Sequence, residues 1–229
     1  KQDKMVMKDI IASYTYKELW QNMLQSMSWQ SFESGAMLNP FGKILDAGCG
    51  TGLLLERLPV ISPLQYRGVD LSGGMLRQAR EKFPEYTFIH QDIREYYRTV
   101  DEARHMDPLG FHLYDSFISI FASMSFIPLE DCAEIVGGLV QTDGFVYIMF
   151  FGPKVTPRDL VYESADVPFC TADEVQRKFI EPLQEIRHYE GDGPIGRLYG
   201  LKGLEWCKPD EGDYIVFKSR MRDCKDVSE

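Results

Sequence analysis

Through the middle of the chain, short apolar runs rich in β-branched and aromatic residues alternate with longer segments whose apolar positions recur every three or four residues. The first pattern predicts strands over residues 43–46, 65–70, 86–90, 113–119 and 144–151, and the second predicts helices between most of them. The run Phe145-Val146-Tyr147-Ile148-Met149-Phe150 shows no polar alternation, which is how a strand covered on both faces reads. Strands alternating with helices in this way predict an α/β fold with a mostly parallel, doubly wound sheet, and right-handed crossovers place helices on both of its faces.

The flanks have a different character. Over residues 5–32, Leu19, Trp20, Met23, Leu24 and Met27 recur at helical spacing, so residues 1–35 are expected to form an N-terminal helical unit on a domain spanning 36–229. Past the fifth strand, Gly152, Pro153, Pro157 and Pro168 interrupt the pattern, and residues 152–170 read as an insert. Thr171-Ala172-Asp173-Glu174 has the spacing of a capped helix start. Two further strands are expected over 183–190 and 213–221, antiparallel and joined by a long loop containing Gly191, Gly193, Gly196, Gly200 and Gly203.

Composition narrows the function. With 229 residues, 44% of them hydrophobic, the chain can bury a sizeable core. Its 25 basic and 35 acidic residues leave a net charge of −10 and no run of Lys and Arg, a balance that repels a phosphate backbone and sets nucleic acid aside. Cys49, Cys132, Cys170, Cys207 and Cys224 are widely spaced, with no CxxC pair and no Cys/His spacing suited to zinc, so a reducing compartment and no metal are expected. The longest apolar run, residues 145–151, falls far short of the roughly 20 residues a membrane span needs, and the first residues lack a signal peptide's apolar region. The expectation is a cytoplasmic protein without membrane partners; a homodimer is left open.

The most informative stretch is Ile44-Leu45-Asp46-Ala47-Gly48-Cys49-Gly50-Thr51-Gly52: an apolar strand carrying an acid, glycines at every second position, then Leu53-Leu54-Leu55 opening a helix. Glycine admits positive φ and brings backbone close to a ligand with no Cβ in the way, which a tight strand-to-helix turn over a cofactor requires. The spacing is GxGxG; Leu53 stands where a dinucleotide fingerprint places its third glycine, which weakens a nicotinamide reading.

These residues resemble the first motif of the class I S-adenosylmethionine-dependent methyltransferases, of the type that acts on small molecules. The resemblance continues at Gly68-Val69-Asp70-Leu71-Ser72-Gly73-Gly74-Met75, at Ile89-His90-Gln91-Asp92-Ile93 and from Tyr114 to Met124, and is weaker at the turn Gly137 to Gly144, which lacks the family's proline. It implies a Rossmann-like seven-stranded sheet with an antiparallel C-terminal strand and S-adenosyl-L-methionine as cofactor. It assigns the cofactor's amino-acid end to Asp46, Gly48, Cys49, Gly50 and Gly52. Asp70, Leu71 and Met75 would serve the ribose and adenine, Asp92 and Ile93 the adenine edge, and Ser119 and Phe121 the face near the methyl group. A carboxylate suits a ribose because its two oxygens can each accept a hydroxyl proton, and a polarizable thioether suits an adenine face.

By the same resemblance, residues 1–35 form a lid over the cofactor, with Tyr14 or Tyr16 near the sulfonium. Trp20, Met23, Met124, Phe126 and Phe169 would line the acceptor pocket, residues 152–170 being an insert on its substrate side, and His188 is the candidate base. That apolar lining implies transfer of a methyl group to a small hydrophobic or aromatic acceptor by in-line displacement. Ile120-Phe121-Ala122-Ser123 stands where members that methylate nucleic-acid amino groups carry an Asp/Asn-Pro-Pro-aromatic tetrapeptide. The same motifs would also serve a regulatory or partner protein that binds the cofactor without transferring from it, or an enzyme using the cofactor for lysis or cyclisation.

Overall fold

A computed structural model describes residues 42–59, 61–107, 113–120, 123–152, 169–186, 196–202, 205–212 and 214–220. Five parallel strands come first: β1 (Ile44–Ala47), β2 (Tyr66–Asp70), β3 (Thr87–His90), β4 (Tyr114–Ser119) and β5 (Val140–Phe151). Between them run α1 (Leu53–Arg57), α2 (Gly73–Lys82), α3 (Ile93–Met106) and α4 (Leu129–Leu139). The chain continues through α5 (Ala172–Val175), a π-helical segment Gln176–Ile180 and α6 (Glu181–Ile186) to β6 (Gly196–Lys202), β7 (Glu205–Cys207) and β8 (Tyr214–Arg220). The order across the sheet is β3-β2-β1-β4-β5-β8-β6-β7. The chain reverses direction across the sheet between β1 and β4, and ligands of open α/β sheets bind outside the strands' carboxyl ends at such a switch point.

Side-chain alternation divides the core into two layers. Ile44, Ile118, Tyr147 and Val216 face α1 and α2 through Leu54, Leu55, Leu76 and Ala79. Leu45, Phe117, Val146, Ile148 and Phe217 face α3, α4 and the helices after β5, through Tyr96, Val136, Val175 and Phe179. Both sheet faces are covered, as the continuous apolar run of β5 implies.

Three features differ from the expectation. Among the described residues the sheet has eight strands, because β7 folds back onto β6 in an extra antiparallel pair at the edge, both in the stretch expected to be a loop. Of the segment expected to be a strand over 183–190, residues 183–186 lie in α6 and 187–190 lie outside the described residues. Its helical state follows from Val175, Phe179 and Leu183, which recur every four residues and are all fully buried on one stripe. Third, β5 starts at Val140 directly from α4, and its pairing with β4 shifts register between Tyr114 and Ser116. Gly144 sits in that irregularity, where a Cβ would collide with Val140 and the Gln141 carbonyl. The helix start at Thr171 forms as expected, as a reciprocal capping box with Glu174.

Phe179 joins the helices after β5 to the sheet, edge-on to Phe150 at 5.6 Å and to Phe217 at 4.9 Å. Phe179→Ala should cost about 3–5 kcal/mol of unfolding free energy in urea titration; a loss below about 1 kcal/mol would mean that this layer does not pack as described.

Candidate functional site

The carboxyl ends of β1 and β2 meet in one hydrogen-bonded corner. Gly48, Gly50 and Gly52 have φ of 84°, 55° and 82°, so the turn after β1 takes the left-handed conformation at every second residue. The amides of this turn point inward: those of Gly48 and Cys49 donate to the Val69 carbonyl, and that of Gly52 to the Cys49 carbonyl. The Gly50 amide donates to Asp70 Oδ2 at 2.8 Å. What the turn offers outward is thus a backbone without side chains rather than a row of free donors. A Cβ at Gly50 would enter nearly open space, with Met75 Sδ 3.6 Å away as its neighbour.

Asp70 ties the turn to the next loop. Its Oδ1 accepts the Ser72 amide at 2.7 Å while Oδ2 holds Gly50. Each carboxylate oxygen keeps a lone pair beyond those bonds. Ser72 in turn caps α2, accepting the Met75 amide at 3.3 Å, and so places Met75 in the first turn against the glycines. Leu71, 68% exposed, projects beside this acid, and His90 Nε2 bonds its carbonyl at 2.9 Å.

Asp46 lies deeper, buried, and accepts the Tyr66 hydroxyl at 2.7 Å. Burial pushes its carboxyl up from 3.8 to about 7; the Tyr66 hydrogen bond opposes that rise, and the charge of Asp70 adds to it. Burial, aided by Asp46 and Asp70, also drives the Cys49 thiol far above its ordinary range, so Cys49 stays protonated and is no nucleophile. At the end of β3, Asp92 caps α3 through the Arg94 amide and takes two further bonds from the Arg94 guanidinium, at 3.0 and 2.9 Å. The Arg94 hydrogen bond chiefly holds the Asp92 carboxyl below the usual range. An adenine amino group at Asp92 would share a carboxylate that Arg94 already grips.

Three candidate residues turn inward. Ile93, the first residue of α3, lies in the core on the helix's apolar face. Ser119 is fully buried, and its hydroxyl donates to the Ala47 carbonyl at 2.8 Å, clasping β4 to β1. Met124, in the short 3-10 turn Ser123–Ser125, is also fully buried, so it packs the core rather than lining an open pocket. Phe126 is exposed and edge-on to Phe151 at 5.9 Å, while Phe169 is half-buried just before Cys170, whose amide bonds the Phe151 carbonyl. Tyr14, Tyr16, Trp20, Met23, Phe121 and His188 lie outside the described residues, as do the lid 1–35 and most of the insert. Among the described residues no group of His, Cys, Asp and Glu is arranged to hold a metal, and no helix is long and apolar enough to cross a membrane.

Sequence reasoning missed Tyr66 and Arg94. Tyr66, Gly68 and Asp70 alternate along β2, so strand periodicity alone puts the tyrosine on the face of the acid. The two-residue spacing of Asp92 and Arg94 at a helix start carries the second signal.

Residues 44–137 match the family described as "Methyltransferase domain". Trans-aconitate 2-methyltransferase of Rhodopseudomonas palustris (strain HaA2) is 48% identical over 56 residues, 23% of this chain and 21% of the relative. Non-reducing polyketide synthase adrD of Penicillium roqueforti is 32% identical over 129 residues, 52% of this chain and 5% of the synthase. The match thus spans about a fifth of the first of these relatives and a far smaller part of the second. The crystal structure of a S-adenosylmethionine-dependent methyltransferase from Clostridium acetobutylicum ATCC 824 superposes with a TM-score of 0.60 over 96% of both chains at 13% identity, a likeness of fold.

Because Asp46 carries a pKa near 7 when folded and near 3.8 when unfolded, the fold binds more protons than the unfolded chain between those values. Its contribution to stability is therefore present at low pH and lost as pH rises through about 7. Asp46→Asn should remove this loss. Urea unfolding at about pH 5 and about pH 8 should show the variant gaining on the parent as pH rises, by a few kcal/mol at most; a pH-independent difference would contradict the buried, raised carboxyl.

Proposed function

We propose that this chain, a class I S-adenosylmethionine-dependent methyltransferase by family and fold, transfers a methyl group from S-adenosyl-L-methionine to a small, hydrophobic or aromatic acceptor. The observation that carries the reading is the corner of the switch point, where a turn with positive φ at Gly48, Gly50 and Gly52 is held by the carboxylate of Asp70. The residues present fit the cofactor: a Cβ at Gly50 would fill open space beside Met75, and two acids stand at the ends of adjacent strands. A GxGxxG nicotinamide site would want glycine where Leu53 stands.

When bound, S-adenosyl-L-methionine supplies a methyl group already activated on a sulfonium. The protein's task is then to hold partners and exclude water. In this reading Asp70 accepts the ribose hydroxyls with the lone pairs that Gly50 and Ser72 leave free. Met75 and the exposed Leu71 give an apolar face to the adenine, Asp92 takes its amino group alongside Arg94, and Asp46 attracts the ammonium of the amino-acid end. Tyr14 or Tyr16 faces the sulfonium, where an aromatic ring suits a cation, and His188 removes a proton if the acceptor carries one. The same reading assigns residues 1–35 and 152–170 to covering the pocket.

For the acceptor, the exposed edge of Phe126 on Phe151 and the half-buried Phe169 favour an apolar group on the carboxyl-end face. Trans-aconitate, named for the first relative, is a small molecule but a polyanionic one, so it agrees with the size of the acceptor and not with its apolar character, which rests on Phe126, Phe151 and Phe169.

Calorimetric titration with S-adenosylmethionine, S-adenosylhomocysteine and NAD tests the reading without the acceptor. Binding of the first two and not of NAD is expected, and Asp70→Ala should weaken it about 10- to 100-fold with the circular-dichroism spectrum unchanged. NAD binding alone, or full affinity in the folded variant, would refute it.

A further inference from the structure

Tyr66 stands at the start of β2, four residues before Asp70, and Gly68 lies between them on the same strand face. In the parallel pairing of β1 with β2, Gly68 is the register partner of Asp46. A side chain at position 68 would therefore stand beside the Asp46 carboxylate. Its absence leaves room: a Cβ there would lie 2.9 Å from the Tyr66 hydroxyl and 2.7 Å from Cys49 Sγ, closer than packed atoms tolerate. Through that gap the Tyr66 hydroxyl reaches Asp46 Oδ2 at 2.7 Å. The ring that carries it is buried and held edge-on by Tyr86 at 5.7 Å and Phe88 at 5.8 Å, with Tyr86 anchored to the Ile61 carbonyl.

Asp46 is also near a second acid, Asp70, whose oxygens are engaged by backbone amides. Two neighbouring carboxylates repel, and a donor hydrogen-bonded to a buried one favours its charged form. Among the described residues, Tyr66 is the side chain that donates to Asp46. We propose that Tyr66 is a positioning residue for the amino-acid end of the cofactor, its hydroxyl fixing one oxygen of Asp46 so that the other meets the ammonium. Gly68 is glycine so that this hydroxyl can pass. The proposal rests on the cofactor reading above.

Tyr66→Phe removes the hydroxyl and keeps the ring. Two probes separate a positioning role from general loosening: S-adenosylhomocysteine, which has the amino-acid end, and 5′-methylthioadenosine, which lacks it. The expected result is about a tenfold loss of affinity for the first and none for the second, with the apo protein still unfolding in one cooperative thermal transition at a somewhat lower temperature. Unchanged affinity for S-adenosylhomocysteine, or equal losses for both probes, would overturn the proposal. Should Tyr66→Phe fold poorly, Gly68→Ala, whose methyl presses on the hydroxyl, must give the same selective loss, and an unselective one overturns the proposal equally. A parent protein that binds neither probe would refute the cofactor reading and the role of Tyr66 with it, an outcome distinct from a parent that binds both and a variant that does not discriminate.

Discussion

The carboxylate of Asp70 ties together the carboxyl ends of β1 and β2. One oxygen holds the amide of Gly50 and the other holds that of Ser72, so a single side chain joins the turn after β1 to the loop that starts α2. Bonds of backbone amides to a charged acceptor are stronger than neutral ones. They also fix the start of the next helix: Ser72, once placed, caps α2, and the cap brings Met75 to the glycines. The neighbouring Asp46 is raised chiefly by its own burial, and the negative charge that organises the corner adds to that rise.

The glycine turn serves this arrangement in an unexpected way. Its spacing invites the view that bare amides reach for a ligand, yet the amides of Gly48, Cys49, Gly50 and Gly52 are all engaged within the protein. Positive φ lets the chain turn its donors inward and still leave an outer edge free of Cβ atoms. Gly68 extends the same logic beneath the turn, where a missing side chain makes room for a tyrosine hydroxyl and a thiol.

Much of this architecture is legible in the residues. The apolar run of β5 signals a strand covered on both faces, Thr171 and Glu174 signal a helix start, and the acids at the ends of β1 and β2 stand where their spacing from the glycines puts them. The period misleads over 183–190, where the buried stripe Val175, Phe179 and Leu183 belongs to a helix carrying a π-helical segment, a widened turn that a fixed 3.6-residue template does not anticipate. Position along a motif places Ile93, Ser119 and Met124 at the site, but the direction of a side chain depends on which layer needs it, and the core on the α4 side takes Ile93 and Met124. Ser119 turns instead to the Ala47 carbonyl, since a buried hydroxyl must find an acceptor.

By itself the sequence determined the alternation of strands and helices from β1 to β5, the positive-φ turn that glycine favours and the acids that flank it, because these depend on local periodicity and on the φ each residue tolerates. Tertiary structure alone decided that Tyr66 meets Asp46 across two strands and that the carboxylate of Asp70 reaches back to the turn after β1. Those contacts depend on strand register, sheet order and burial, which bring together residues 20 apart in the chain and set the cost of leaving any polar group unpaired. The raised carboxyl of Asp46 belongs to the same class, since a low-dielectric environment exists only once the core has closed around it.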